Sequence, residues 1–186
     1  HIQILELDQS NPWLSLETVK ANDLLFGNEK TSAMALRNDR EKHKIVGAIN
    51  GDFYAVGGIP IGAQVLKGEL LKKPYPRSVF GSDREKLPFI DILSFDGSIM
   101  AKNDSMRQIA GINETRNTDN LIIYNHYFGS STQTNQWGTE VIASYIDSSF
   151  AINAPTKLVV IAKDSIMATG HGNNNIPGNG LVISGH

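Results

Sequence analysis

Apolar residues in this chain come in short runs, and nearly every run is closed by glycine, Asn-Gly, Asp-Gly or a proline-rich turn. Runs bounded in that way are strand signals, because an extended segment needs only a few residues to cross a sheet and must then reverse. Gln3–Leu7 alternates, and Ile45–Ile49 is an apolar run that stops at Asn50-Gly51. Ala63–Leu66 and Glu69–Leu71 flank Lys67-Gly68 and read as a tight hairpin. Further strands are expected at Ser78–Gly81, Phe89–Ser94, Leu121–Tyr124, Glu140–Ile146, Lys157–Ala162 and Leu181–Ile183. The 17 glycines fall mostly between these runs, where turns belong.

Helices are fewer. Thr31 or Ser32 can cap a helix running on towards Lys44, and Asp104–Ile109 reads as a short helical turn. The charged half of the first, Arg37–Lys44, mixes signs at helical spacing and describes a solvated face better than a binding patch. The expected architecture is α+β: a mainly antiparallel or mixed sheet with a few helices packed on one side, residues 1–186 forming a single domain. Lys72–Pro76 reads as an exposed loop.

Composition narrows the function classes. With 40% hydrophobic residues the chain can bury a core. Lys+Arg 17 against Asp+Glu 19 gives a net charge of −2, which offers no electrostatic footprint for nucleic acid. The absence of cysteine removes thiol catalysis and Cys-ligated zinc. No run approaches the roughly twenty apolar residues of a membrane helix. The chain opens at His1 without Met or a leader, which reads as a processed or trimmed start.

The stretch richest in chemistry is Ala48-Ile49-Asn50-Gly51-Asp52-Phe53-Tyr54, followed by Gly58, Pro60 and Gly62. An apolar run ending in Asn-Gly-Asp sets an amide and a carboxylate two residues apart, suited to acid–base, nucleophilic or hard-cation chemistry. Turn chemistry competes: Asn-Gly is a favoured type I′ pair, and local sequence alone favours that reading. A hard cation such as Ca²⁺ is a candidate partner for Asp52, with co-ligands that the sequence does not name. Arg77 can offer a bidentate fork to phosphate, although a surface Arg opening a strand is the commoner case. The loop Asn125–Gly138 is rich in amides and hydroxyls and carries aromatic rings including Trp137, the mixture a carbohydrate contact uses and a hydrogen-bonded surface loop uses too.

The histidines, His1, His43, His126, His171 and His186, show no metal-ligand spacing. Ser184-Gly185-His186 is not a nucleophile–base pair, since such partners meet in space and not side by side in sequence. Gly170–Gly180 lacks the Lys-Ser/Thr of a phosphate loop and reads as a loop.

Taken in order, several segments resemble the phosphodiester glycosidase family, which includes the uncovering enzyme of the mannose-6-phosphate pathway and bacterial exopolysaccharide biosynthesis proteins. They are Thr31–Ala35, Ala48-Ile49-Asn50-Gly51-Asp52-Phe53-Tyr54, the Gly58/Pro60/Gly62 turn, Leu66–Leu70, Arg77–Gly81, Leu121–Asn125, Gly138–Val141, and Ile176-Pro177 with Gly180–His186. The resemblance implies a secreted, periplasmic or cell-surface hydrolase that frees a sugar from an anomeric phosphodiester. It implies Asp52 as the catalytic carboxylate with Asn50 as orienter. Gly51, Phe53, Arg77, Ser184 and His186 are then expected at the substrate, and the make-up of the Asn125–Gly138 loop adds Trp137. Members of that family continue into an Arg-Thr strand, an Asp-Gly-Arg turn and a Leu-Asp-Gly-Gly-Gly-Ser motif, none of which occurs here. The expectation is the front part of such a domain, completed by a missing C-terminal half or by a second chain. Two competing readings stand beside it: a non-catalytic carbohydrate-binding module resting on the Asn125–Gly138 loop, and a structural β-rich domain.

Overall fold

The computed structural model describes residues 2, 4–147, 151–165 and 173–186. The centre of the molecule is a five-stranded sheet whose members lie far apart in sequence. Its strands are β7 (Gly111–Ile112), β8 (Leu121–Asn125), β9 (Thr139–Tyr145), β10 (Leu158–Ser165) and β11 (Gly180–Gly185). They stand in the order β10-β9-β11-β8-β7, antiparallel throughout except for the parallel pair β7 and β8. Val182 faces Tyr124 on one side and Ile142 on the other, which fixes the register of the three central strands.

Successive residues of a strand point to opposite faces, so these strands must bury both. One face carries Ile122, Tyr124 and Val182 and is covered by Leu25, Leu66, Leu71, Tyr127, Phe128 and Ile176. The other carries Ile112, Ile123, Ala143 and Leu181 and is covered by Leu70, with Phe95, Ile99 and Ile109 packed against it.

Three further hairpins lie outside this sheet. In the first, β1 (Gln64–Leu66) and β2 (Glu69–Lys72) meet at Lys67 (φ 52°) and Gly68 (φ 85°), the type I′ turn that the dipeptide favours. The others join β3 (Ser78–Ser82) to β4 (Pro88–Ile92) and β5 (Ser98–Met100) to β6 (Met106–Gln108).

The expected α+β arrangement does not hold: the molecule is mainly β, and its one α-helix among the described residues, α1 (Thr31–Asn38), buries none of its side chains. The helix stops well before Lys44 because its polar continuation finds other partners. Asn38 Nδ2 donates back to the Met34 carbonyl, Asp39 turns extended, and Arg40 and His43 close a separate backbone turn. Its N-cap position is Lys30, without a side-chain cap, so neither Thr31 nor Ser32 caps it. Arg37 bonds Asp23 at 2.7 Å and Glu29 at 3.1 Å instead of lying along a longer helix. Asp104–Ile109 is no helical turn either. Asp104 takes φ 62° in the β5–β6 turn and Met106–Gln108 form a strand.

Ile4–Leu7 and Ile45–Ile49 are not strands, since neither finds a ladder partner; Gln3 lies outside the described residues. The first part of the Gly170–Gly180 loop and the histidines His1 and His171 also lie outside them. No helix among the described residues is long and apolar enough to cross a membrane.

Candidate functional site

Asn50 and Gly51 both keep negative φ, so this pair is not the type I′ turn that its composition favours. The reversal comes later. Ala55 N donates to the Ile59 carbonyl at 2.8 Å, Ile61 N to the Phe53 carbonyl at 3.2 Å, and Tyr54 bridges Pro60. Gly58 sits at the apex with φ 75°, where an added Cβ would strike the Gly27 carbonyl. Glycine is required there on both counts.

This loop presents Asp52 to Arg77, which stands immediately before β3. Asp52 Oδ1 lies 3.8 Å from Arg77 Nη1, with both side chains about two-fifths exposed (41% and 36%). The same oxygen accepts the Phe53 amide at 2.7 Å, which fixes the carboxylate's orientation. The Arg77 guanidinium carbon lies 5.4 Å from the centre of the Phe53 ring, a cation–π contact. Gly62 closes one side: a Cβ there would lie 3.6 Å from Asp52 Oδ2. Asn50, Gly51, Asp52, Phe53, Tyr54 and Arg77 enclose an open cavity of about 460 Å³. Five expected site residues (Asn50, Gly51, Asp52, Phe53 and Arg77) therefore meet around one space.

The other three lie elsewhere. Ser184 is fully buried in β11. His186 is an exposed residue just past β11 whose amide bonds the Asn120 carbonyl at 3.3 Å. Trp137 is half exposed, and its carbonyl accepts a bond from Arg116. Among the described residues no three His, Asp or Glu side chains gather into a group that could hold a metal ion.

A second polar constellation joins Ser184 and threonines of the Asn125–Gly138 loop to two charged residues, Glu140 and Arg116, for which the sequence raises no site expectation. Glu140, fully buried, stands opposite Ser184 in the β9–β11 ladder. Its Oε1 accepts from Ser184 Oγ and Thr134 Oγ1, each at 2.9 Å, and its Oε2 from Thr132 Oγ1 at 3.2 Å and Asn174 Nδ2 at 2.8 Å. Arg116, on the β7–β8 connection, donates to Ser184 Oγ at 2.6 Å and to Asn135 Oδ1 at 2.7 Å. Buried charge is tolerated here because carboxylate and guanidinium are joined through one hydroxyl and each is richly bonded. The sequence signal was an acidic residue inside an otherwise apolar strand; Arg116 left no local signal.

Thr132, Thr134, Asn135 and Arg116 also line a cleft of about 520 Å³, shared with Phe26, Phe128 and Lys72. Lys72 Nζ donates to the Pro60 carbonyl at 2.6 Å, so this cleft abuts the loop that carries Asp52. Burial lowers the Lys72 ammonium below its ordinary pKa, partly countered by the charges of Glu114 and Asp52. Burial also pushes the Tyr124 phenol, another lining residue, up to about 12.

No family model matches the chain, and no curated protein sequence does. Among solved structures it is similar to a hypothetical protein from Synechocystis, with a TM-score of 0.65 at 18% sequence identity, a likeness of fold that covers 95% of this chain and 30% of that one.

Proposed function

We propose that the Asp52–Arg77 cavity hydrolyses a sugar phosphodiester at the anomeric carbon, releasing the sugar and leaving a phosphomonoester on the other partner. The observation that carries the reading is the placing of a carboxylate and a guanidinium on one cavity, 3.8 Å apart, with the amide-bearing Asn50 on its wall. At that separation the pair is longer than a good charge-assisted hydrogen bond, so the guanidinium keeps donors for an incoming phosphate. Glycosidases generally use two carboxyl groups, one of them to protonate the departing oxygen. The group departing here is a phosphomonoester, a stable anion that needs no such proton, so one carboxylate suffices. Asp52 then acts on the anomeric carbon or on its attacking water, Arg77 neutralises the phosphate, and Asn50 orients a sugar hydroxyl. The resemblance of Asn50–Tyr54 to the phosphodiester glycosidases supports this assignment and the proposed secreted, periplasmic or cell-surface location.

The test is sugar release from a panel of glycosyl-1-phosphodiesters. Asp52→Asn should lower the rate by about a thousandfold, while its thermal unfolding stays close to that of the parent because the side chain is exposed. Full activity in that variant would remove Asp52 from the mechanism.

A further inference from the structure

The cleft beside Lys72 has a charge balance that the proposed hydrolysis does not use. Glu114 on its wall pairs with Lys73 at 2.7 Å. Arg116 and Glu140 compensate each other through Ser184. Lys72 is left with a backbone carbonyl as its hydrogen-bond acceptor and with no carboxylate at ion-pair distance among the described residues. The cleft thus presents one ammonium with no carboxylate bonded to it in a half-buried setting, where a single anion gains more than at an open surface.

The rest of the lining is suited to a pyranose. Phe26 and Phe128 pack edge to face at 5.5 Å between ring centres, with Tyr124 against Phe128 at 4.8 Å, and they give the cleft an aromatic wall. On the polar side the Thr115 hydroxyl and the Gln133 amide take no protein partner among the described residues and are exposed to the cleft's solvent. Arg116 Nε–H is buried and also without a protein acceptor. The volume, about 520 Å³, lies within the usual range for small-molecule sites.

We propose that this cleft binds a pyranose bearing one carboxylate, of the hexuronate type, with the carboxylate on Lys72 and the ring against Phe26 and Phe128. The site is separate from the Asp52–Arg77 cavity and does not depend on catalysis there. Lys72 touches the Pro60 carbonyl of the catalytic loop, so a uronate held here would be a non-reacting neighbour in an acidic glycan.

Calorimetric titration of the full chain with D-glucuronate, D-glucose and acetate tests it. Glucuronate should bind at least about tenfold more tightly than either the neutral sugar or the bare carboxylate. Lys72→Ala should reduce glucuronate to the level of glucose while leaving glucose binding intact, which also shows that the cleft is still formed. Lys72→Arg should keep the preference, and so should Asp52→Asn and Arg77→Ala. Amide shifts on adding glucuronate should fall on residues 132–135. A glucuronate affinity no better than that of glucose would overturn the proposal. So would a preference that survives Lys72→Ala or disappears with Arg77→Ala.

Discussion

Replacing Glu140 tests whether the buried polar network holds the central sheet together. Its carboxylate accepts from Ser184, Thr134, Thr132 and Asn174, the last with both its side-chain amide and, at 3.3 Å, its backbone N–H. Glu140→Ala strips all of these donors and leaves Arg116 without its compensating charge. Breaking a buried charge system by removing one member costs about 3–5 kcal/mol. Glu140→Gln keeps the volume but must turn an NH₂ towards donors. The Asn174 side cannot reverse, because a backbone N–H cannot accept. On the other side Ser184 Oγ, already accepting from Arg116, can accept an NH₂ as well only by turning away the O–H that it gives to position 140, which leaves that donor without its acceptor. The glutamine variant should therefore still lose about 1.5–3 kcal/mol. Urea unfolding followed by tryptophan fluorescence reads both losses as shifts in midpoint at constant slope. Pairing Glu140→Gln with Arg116→Met should recover about 1–2 kcal/mol relative to the sum of the single changes. An alanine variant within about 1 kcal/mol of the parent, or a coupling near zero, would refute the network's role.

Three further expectations follow from local geometry. Burial pushes the Tyr124 phenol up to about 12, while an unfolded phenol titrates near 10. Its contribution is full below about pH 10 and is lost as pH rises towards 12, so the stability gap between the parent and Tyr124→Phe should shrink across that window in urea melts. His43 is held above the ordinary histidine value by the Asn38 carbonyl and then by Glu17 at 3.1 Å. Its NMR titration midpoint should fall in Glu17→Gln. Gly138 has φ 101° and lies where a Cβ would meet the Gly185 carbonyl, so Gly138→Ala should lower stability by about 1–3 kcal/mol and the melting temperature with it.

What was legible in the sequence was what neighbouring residues decide. Lys67-Gly68 specifies its turn by φ preference, and the hairpin around it forms as read. Leu121–Tyr124, Glu140–Ile146 and Leu181–Ile183 are near-continuous runs, and each lies in the buried sheet. What was not legible depends on partners distant in the chain. Ile45–Ile49 has the composition of a strand but no strand beside it. Helix propensity towards Lys44 loses to Asp39, whose carboxylate accepts the Ile45 amide at 3.3 Å and pairs with Lys44 at 3.4 Å. Asn50-Gly51 has the turn residues without the turn, because the chain reverses at Gly58. Arg116 and Glu140 meet only through Ser184, a juxtaposition that exists once β8, β9 and β11 are in register.

In the proposed reaction water attacks the anomeric carbon and spares phosphorus. Hydrolysis of a glycosyl-1-phosphodiester in ¹⁸O-labelled water, with mass analysis of the phosphomonoester product, tests that claim directly. The account predicts an unlabelled phosphomonoester and the loss of its formation in Asp52→Asn. Label in the phosphate, or release that is indifferent to Asp52, would contradict it.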